Sequence, residues 1–205
     1  MRKVGEMKVE VIRATENPIE VISLAAGMCY GKTDYSVKRV KHCFYNGHLS
    51  VFEHASVTLK VEGISRACMA QLTRHRHVSF CVESQRYNRY DLSGGEWYVV
   101  PPEFEKSHPM EFANQMGVCA GAYKGALMAG MKPEDARYLL PEATKTNLVM
   151  TCNVRELFHI FDMRLSKAAQ WEIRNLAAAI MSELSLVSEE WQELMKIYGT
   201  TEVRE

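Results

Sequence analysis

The chain carries no surplus of charge: 25 lysines and arginines are matched by 25 aspartates and glutamates. Proteins that coat long nucleic acid usually have a basic excess, so that role is disfavoured, though a local basic pocket is not. Its six cysteines (Cys29, Cys43, Cys68, Cys81, Cys119 and Cys152) form no C-x-x-C pair. That spacing suggests neither a zinc ribbon nor a disulfide framework and fits reduced thiols in a cytoplasmic protein. No apolar run is long enough for a signal peptide or a membrane span, so no membrane partner is expected. Also missing are G-x-G-x-x-G after a strand, a Walker loop, H-E-x-x-H and G-x-S-x-G. No repeat, low-complexity tract or dividing linker interrupts the chain, and the expectation is a single domain over residues 1–205.

With 47% apolar and 24% charged residues, the composition is that of an ordinary globular protein. Met7, Val9 and Val11 alternate with polar neighbours, as do Val57, Leu59 and Val61, and both segments read as half-buried strands. Trp97 to Val100 reads as a short strand broken by Pro101-Pro102. Helices are expected over Ile19 to Cys29, over Asp34 to Tyr45 with Asn46-Gly47 as its stop, and from a cap at Ser65. The C-terminal half reads as helical: one helix after Pro109, a short one after Pro133, one from Asn153 to Met163 and a long one from Ala168 to Tyr198. Breaks fall at Ser93-Gly94-Gly95 and at Gly130 to Pro133. The fold class is α+β, strands early and helices late.

The chemistry concentrates between Ile64 and Tyr90, where five arginines (Arg66, Arg74, Arg76, Arg86 and Arg89) meet one acid, Glu83. Guanidinium forks bind phosphate through two hydrogen bonds and stay charged at any working pH. Arg74-His75-Arg76 could equally be cations at a helix end, favoured by the dipole. Ser84, Gln85 and Arg86 add a hydroxyl, an amide and a fork within three residues, a set that suits a phosphate monoester. Ser84 as a nucleophile would need a base and an oxyanion hole, and no motif supplies them. A metal at His75 and His77, or at His48, Glu53 and His54, is not expected, since Arg74 and Arg76 would repel a cation beside His75. Further on, Arg155 and His159 share a helix face, with Asn153 as cap. That face is either solvated or part of a cleft.

R-H-R followed after seven residues by Ser, here Arg74-His75-Arg76 and Ser84-Gln85-Arg86-Tyr87, resembles the signature of the flavin-dependent thymidylate synthases. His48-x-Ser50-x-Phe52-Glu53-His54, Ala136-Arg137 with Leu140-Pro141, Asn153-x-Arg155-Glu156-Leu157, Arg164 and Gln170-Trp171-Glu172-Ile173 resemble further segments of that family, in order. The resemblance runs from about Ala25 to Ile180 and departs at Cys81, Val82 and Ala168, where members often carry Asn, Glu and His.

The resemblance implies reductive methylation of dUMP to dTMP without an enzyme nucleophile. Methylenetetrahydrofolate would supply the carbon, and FAD reduced by NADPH the hydride. It implies a central, mostly antiparallel sheet flanked by helices, in a homotetramer with active sites at subunit junctions. Arg74, His75 and Arg76 would meet the FAD phosphates. Ser50, Glu53, Asn153, Arg155 and His159 would contact other parts of the cofactor, with His48, like Arg164 a candidate catalytic residue, near its ring system. Gln71, Arg74, Glu83, Ser84, Gln85 and Arg86 would hold dUMP, with Arg86 and Arg137 on its phosphate and Arg164 at the uracil ring. Two other functions fit parts of the pattern: a nucleotide- or RNA-binding module, and a flavoprotein of this fold without methyl transfer.

Overall fold

The computed structural model describes residues 7–90, 92 and 96–200 of the chain. Four strands form one sheet: β1 (Lys8–Ala14), β2 (Ser56–Ser65), β3 (Ser79–Val82) and β4 (Lys145–Asn153), in the order β1-β2-β4-β3. The pairing of β2 with β4 is antiparallel, because rising numbers on one meet falling numbers on the other. Val154 N donates to Ala55 O at 2.9 Å, Thr58 meets Thr151 at 3.0 Å, and Arg66 N donates to Thr144 O at 3.0 Å. Val57, Leu59 and Val61 are buried, as their alternation predicts.

The helices are α1 (Pro18–Met28), α2 (Val37–Tyr45), α3 (Arg66–Leu72), α4 (Pro102–Ser107), α5 (Pro109–Met128), α6 (Pro133–Ala136), α7 (Val154–Arg164), α8 (Trp171–Ser185) and α9 (Glu189–Gly199). Several boundaries follow local chemistry. Ser36, Ser65 and Asn153 accept the Arg39, Cys68 and Glu156 amides, each satisfying an orphan donor of a first turn. Gly47 ends α2 with φ of 74°, a conformation that a Cβ would disfavour.

Three expectations are corrected. The C-terminal half is not wholly helical: β4 runs through it, with Thr146, Leu148, Met150 and Cys152 buried at every second position. The long helix over Ala168 to Tyr198 is two helices, because Ser188 leaves the helical conformation and its hydroxyl caps the Trp191 amide. Trp97 to Val100 forms no strand; Tyr98 makes a single antiparallel bridge to Thr144. The break expected at Ser93-Gly94-Gly95 lies outside the described residues. No helix among those residues is long and apolar enough to cross a membrane.

The chain divides into two compact units. One is built on Val61–Leu72 and Cys81–Leu148. Its core gathers Trp97, Met116, Ala120, Tyr123 and Ala136, mostly from one side of α5. The other comprises Val9–Lys60, Thr73–Phe80 and the chain from Val149. There Phe44, Phe52, Phe158 and Tyr198 pack ring against ring at centroid distances of 5.1–6.3 Å.

In that second unit α1 has no side-chain cap of its own. Glu190 of α9 supplies one: its carboxylate accepts the Ile19 amide at 2.8 Å and the Glu20 amide at 3.3 Å. A carboxylate there also complements the positive end of the helix. Replacing Glu190 by Ala is expected to lower unfolding stability by about 1 kcal/mol, read from the midpoint of urea denaturation, and a shift indistinguishable from zero would remove this cap from the account.

Candidate functional site

In the first unit the short segment after β3 is held by β4. Glu83 N donates to Asn147 O at 2.8 Å, and Asn147 Nδ2 donates to the Glu83 carboxylate at 2.8 Å. Ser84 then turns the chain, its hydroxyl accepting the Arg86 amide at 3.2 Å. No histidine hydrogen-bonds that hydroxyl among the described residues, so Ser84 has no base to activate it.

Arg86 and Arg137, far apart in sequence, converge on Glu134. Arg86 Nε donates to the Glu134 carboxylate at 2.6 Å, and Arg137 Nε donates to the Glu134 carbonyl at 3.0 Å. Two guanidinium groups gathered on one residue could take up an anion together, although the Glu134 carboxylate already offsets the charge of Arg86. Next to Arg86, Gln85 is buried, and among the described residues its Nε2 has no partner; Arg66 Nη1 and Thr146 Oγ1 are likewise buried without one. Buried polar groups almost always have partners, so three in one unit call for a polar ligand or ordered water. Burial, with the Glu83 charge nearby, pushes the Tyr90 phenol up to about 12, which keeps it a neutral donor. Gln71, on α3, donates to Ala67 O at 3.3 Å. Sequence reasoning missed Arg66, Tyr90, Glu134 and Asn147. Only Arg66 carried a signal, its place in the arginine-rich segment.

In the second unit α7 organises the site. Its N-cap Asn153 ends β4, and Arg155 and His159 lie one helical turn apart on its exposed side. Arg155 pairs with Glu53, which lies in the 3-10 turn Leu49–His54 just before β2. Both partners are about half exposed, so the pair contributes little stability and stays available to a ligand. His48 and Ser50, at and beside the start of that turn, are exposed.

The R-H-R motif is split by burial. Arg74 and Arg76 are exposed, whereas His75 is buried at 5% exposure. Arg164, at the end of α7, donates from Nε to His75 Nε2 at 3.0 Å. On the other side, His75 Nδ1 stands 3.6 Å from the buried Glu156 carboxylate. The His159 ring meets that of His75 edge-on, with centroids 5.6 Å apart. Burial, then the Arg164 charge and His159, lowers the His75 pKa to about 4, so the ring is neutral at working pH and the Glu156 contact is not an ion pair. Donor atoms of His75, Glu156 and His159 lie within 4.8 Å of one another, a set that could bridge a divalent cation. Arg164 sits one hydrogen bond from that set, and its positive charge opposes a cation there.

The thiols are poor nucleophiles where they are buried. Burial, helped by Glu156, pushes Cys152 up to about 12, and burial raises Cys43.

The sequence profile described as thymidylate synthase complementing protein matches residues 10–188. A flavin-dependent thymidylate synthase of Geobacter sulfurreducens is 38% identical, the match spanning 85% of this chain and 81% of that protein. One of Haloarcula marismortui is 35% identical over 85% of this chain and 89% of its own length. Among solved structures, thymidylate synthase X of Helicobacter pylori, crystallised with FAD and dUMP, superposes with a TM-score of 0.78, at 24% identity, over 98% of this chain and 100% of that one. The UMP/dUMP methylase PolB of Streptomyces cacaoi, bound with 5-Br dUMP, gives 0.81 at 22% identity, over 95% and 96%. At these identities the two structures speak for the fold.

The neutral, buried His75 makes stability depend on pH. Below an ordinary value near 6.5 the unfolded chain takes up a proton that the folded one refuses until about pH 4. Stability is therefore lost as pH falls from about 6.5 to about 4, by up to about 3 kcal/mol. The charged and titratable groups facing the ring are Arg164, His159 and Glu156. Urea titrations at several pH values should give a wild-type curve that falls across this window more steeply than that of His75→Gln; parallel curves would contradict the assignment.

Proposed function

The chain belongs to the thymidylate synthase complementing protein family, the flavin-dependent thymidylate synthases, and we propose the following division of labour for its reductive methylation of dUMP to dTMP. Methylenetetrahydrofolate is the carbon donor and NADPH the reductant. When bound, FAD supplies the hydride. The observation that carries the substrate assignment is the convergence of Arg86 and Arg137 on Glu134, in the unit where Gln85 Nε2 and Arg66 Nη1 are buried without a partner among the described residues.

We assign Arg86 and Arg137 to the dUMP phosphate, and Gln71, Glu83, Ser84 and Gln85 to the rest of the nucleotide. Arg164 faces the uracil ring. Uracil C5 is a poor nucleophile while N3 keeps its proton. A fixed guanidinium at the N3/O4 edge stabilises the N3 anion and raises electron density at C5. Substrate activation is then electrostatic, which accords with a Ser84 that lacks a base and with buried thiols held protonated.

For FAD, the donor set fits an anionic, oxygen-rich ligand. We assign Arg74 and Arg76 to its phosphates, with His75 behind them, and Ser50, Glu53, Asn153, Arg155 and His159 to its other parts, with His48 near the ring system. The exposure of Arg74, Arg76, Arg155 and Glu53 is compatible with sites completed by neighbouring copies, and the homotetramer we assign follows from the family resemblance. Six free thiols accord with action in the cytoplasm. We take the whole chain to act as one catalytic domain.

Purified protein is expected to be yellow and to oxidise NADPH only when dUMP is present. Arg86→Ala and Arg137→Ala should each raise the KM for dUMP about 10- to 100-fold with FAD retained. Arg164→Ala should lower tritium release from C5-labelled dUMP at least about 100-fold, also with FAD retained. Full activity in the Arg164 variant would take that residue out of the reaction.

A further inference from the structure

We propose that Glu156 and His75 are positioning residues that fix the plane of the Arg164 guanidinium from behind. The inference rests on the assignment of Arg164 to the uracil ring, and concerns how this chain holds it there.

An arginine Nε–H can only donate, and it keeps its proton at any working pH. The 3.0 Å contact from Arg164 Nε to His75 Nε2 therefore requires a lone pair on Nε2. A neutral imidazole with Nε2 unprotonated carries its proton on Nδ1. That is the nitrogen facing Glu156, whose carboxylate oxygen lies 3.6 Å away. The separation is too long for a hydrogen bond, but an adjacent negative charge favours the tautomer with N–H on its side. Both His75 and Glu156 are more than nine-tenths buried, where such a preference is strong and solvent offers no alternative partner.

The three groups come from secondary structure that leaves them little freedom. Glu156 and Arg164 lie on the same helix, α7, and His75 in the turn between α3 and β3. The His159 ring, edge-on to His75, restricts rotation of the imidazole. A guanidinium is planar, so fixing Nε fixes the plane in which its two Nη groups present their hydrogens. Planar recognition of an N–C=O edge depends on that plane. The logic is that of a histidine oriented through its second nitrogen, with an arginine in place of a metal.

The test separates positioning from packing. His75→Leu removes the acceptor, while His75→Gln can return an amide oxygen near the place of Nε2. The expected result is a fall in kcat for C5 tritium release of about 10- to 100-fold in His75→Leu, with the KM for dUMP little changed and most of the turnover restored in His75→Gln. Equal loss in both variants, or a His75→Leu enzyme within twofold of wild type, overturns the proposal. A readout besides activity is the tautomer itself, from imidazole 15N shifts of histidine-labelled protein with His75 assigned by its absence in His75→Gln. Unprotonated Nε2 and protonated Nδ1 are expected. A protonated Nε2 in the folded wild type overturns the proposal whatever the variants do, including the case in which His75→Leu loses its flavin. Arg164→Ala, run in parallel, tells the two failures apart. If that variant keeps full turnover, the catalytic assignment of Arg164 fails; if it is inactive while His75→Leu is unaffected, only the positioning relay fails.

Discussion

The antiparallel register of β2 on β4 determines which residues can meet. With Ala55 opposite Val154 and Thr58 opposite Thr151, the turn that precedes β2 comes level with the first turn of α7. Glu53 and Arg155, a hundred residues apart, are brought together by that register alone. Followed toward Ser65, the same ladder sets Gly63 against Asn147 and Arg66 against Thr144. Asn147 in turn holds Glu83, the residue before Ser84. A slip of one residue would reverse which side chains face the core and dissolve both sets of contacts.

Much of this was legible in the sequence where the signal is local. The caps at Ser65 and Asn153, the stop at Asn46-Gly47 and the alternation of Val57, Leu59 and Val61 depend on a few neighbouring residues. β4 escaped notice although Thr146, Leu148, Met150 and Cys152 alternate, because a threonine and a cysteine do not stand out as core residues. The break at Ser188 was hidden by the apolar Leu186-Val187, which continues the helical stripe past the true end of α8. Glu134 carried no signal: its carbonyl meets Arg137 only three residues on, but its carboxylate meets Arg86 through a contact that only the tertiary structure creates. R-H-R read as one cationic block, yet the chain turns its two arginines outward and its histidine inward, and no composition signal distinguishes the three.

The chemistry attributed to this family asks for a pyrimidine made electron-rich without a covalent bond to the protein. The side chains here suit that demand by what they withhold as much as by what they offer. The Ser84 hydroxyl is committed to a backbone amide, and burial keeps the Cys152 thiol protonated. What remains is fixed positive charge on arginines, each braced by a neighbour: Arg86 and Arg137 by Glu134, Arg155 by Glu53, Arg164 by His75. Bracing places a long, flexible side chain in one orientation before it is needed, and electrostatic catalysis depends on such preorganisation.

The cap that Glu190 places on α1 also has a bearing on biosynthesis. Its neighbour Trp191 adds a second tie, donating from its indole nitrogen to Thr15 O at 2.9 Å. The two ties join α1 and the Thr15 segment just before it to α9, more than a hundred and seventy residues further on. During translation α1 can pack early on α2 and the Leu49–His54 turn, but its first amides and the Thr15 carbonyl wait for α9 while more than a hundred and seventy residues are made. The cap and the indole tie close only when Glu190 and Trp191 arrive, so this corner of the unit is completed late in synthesis.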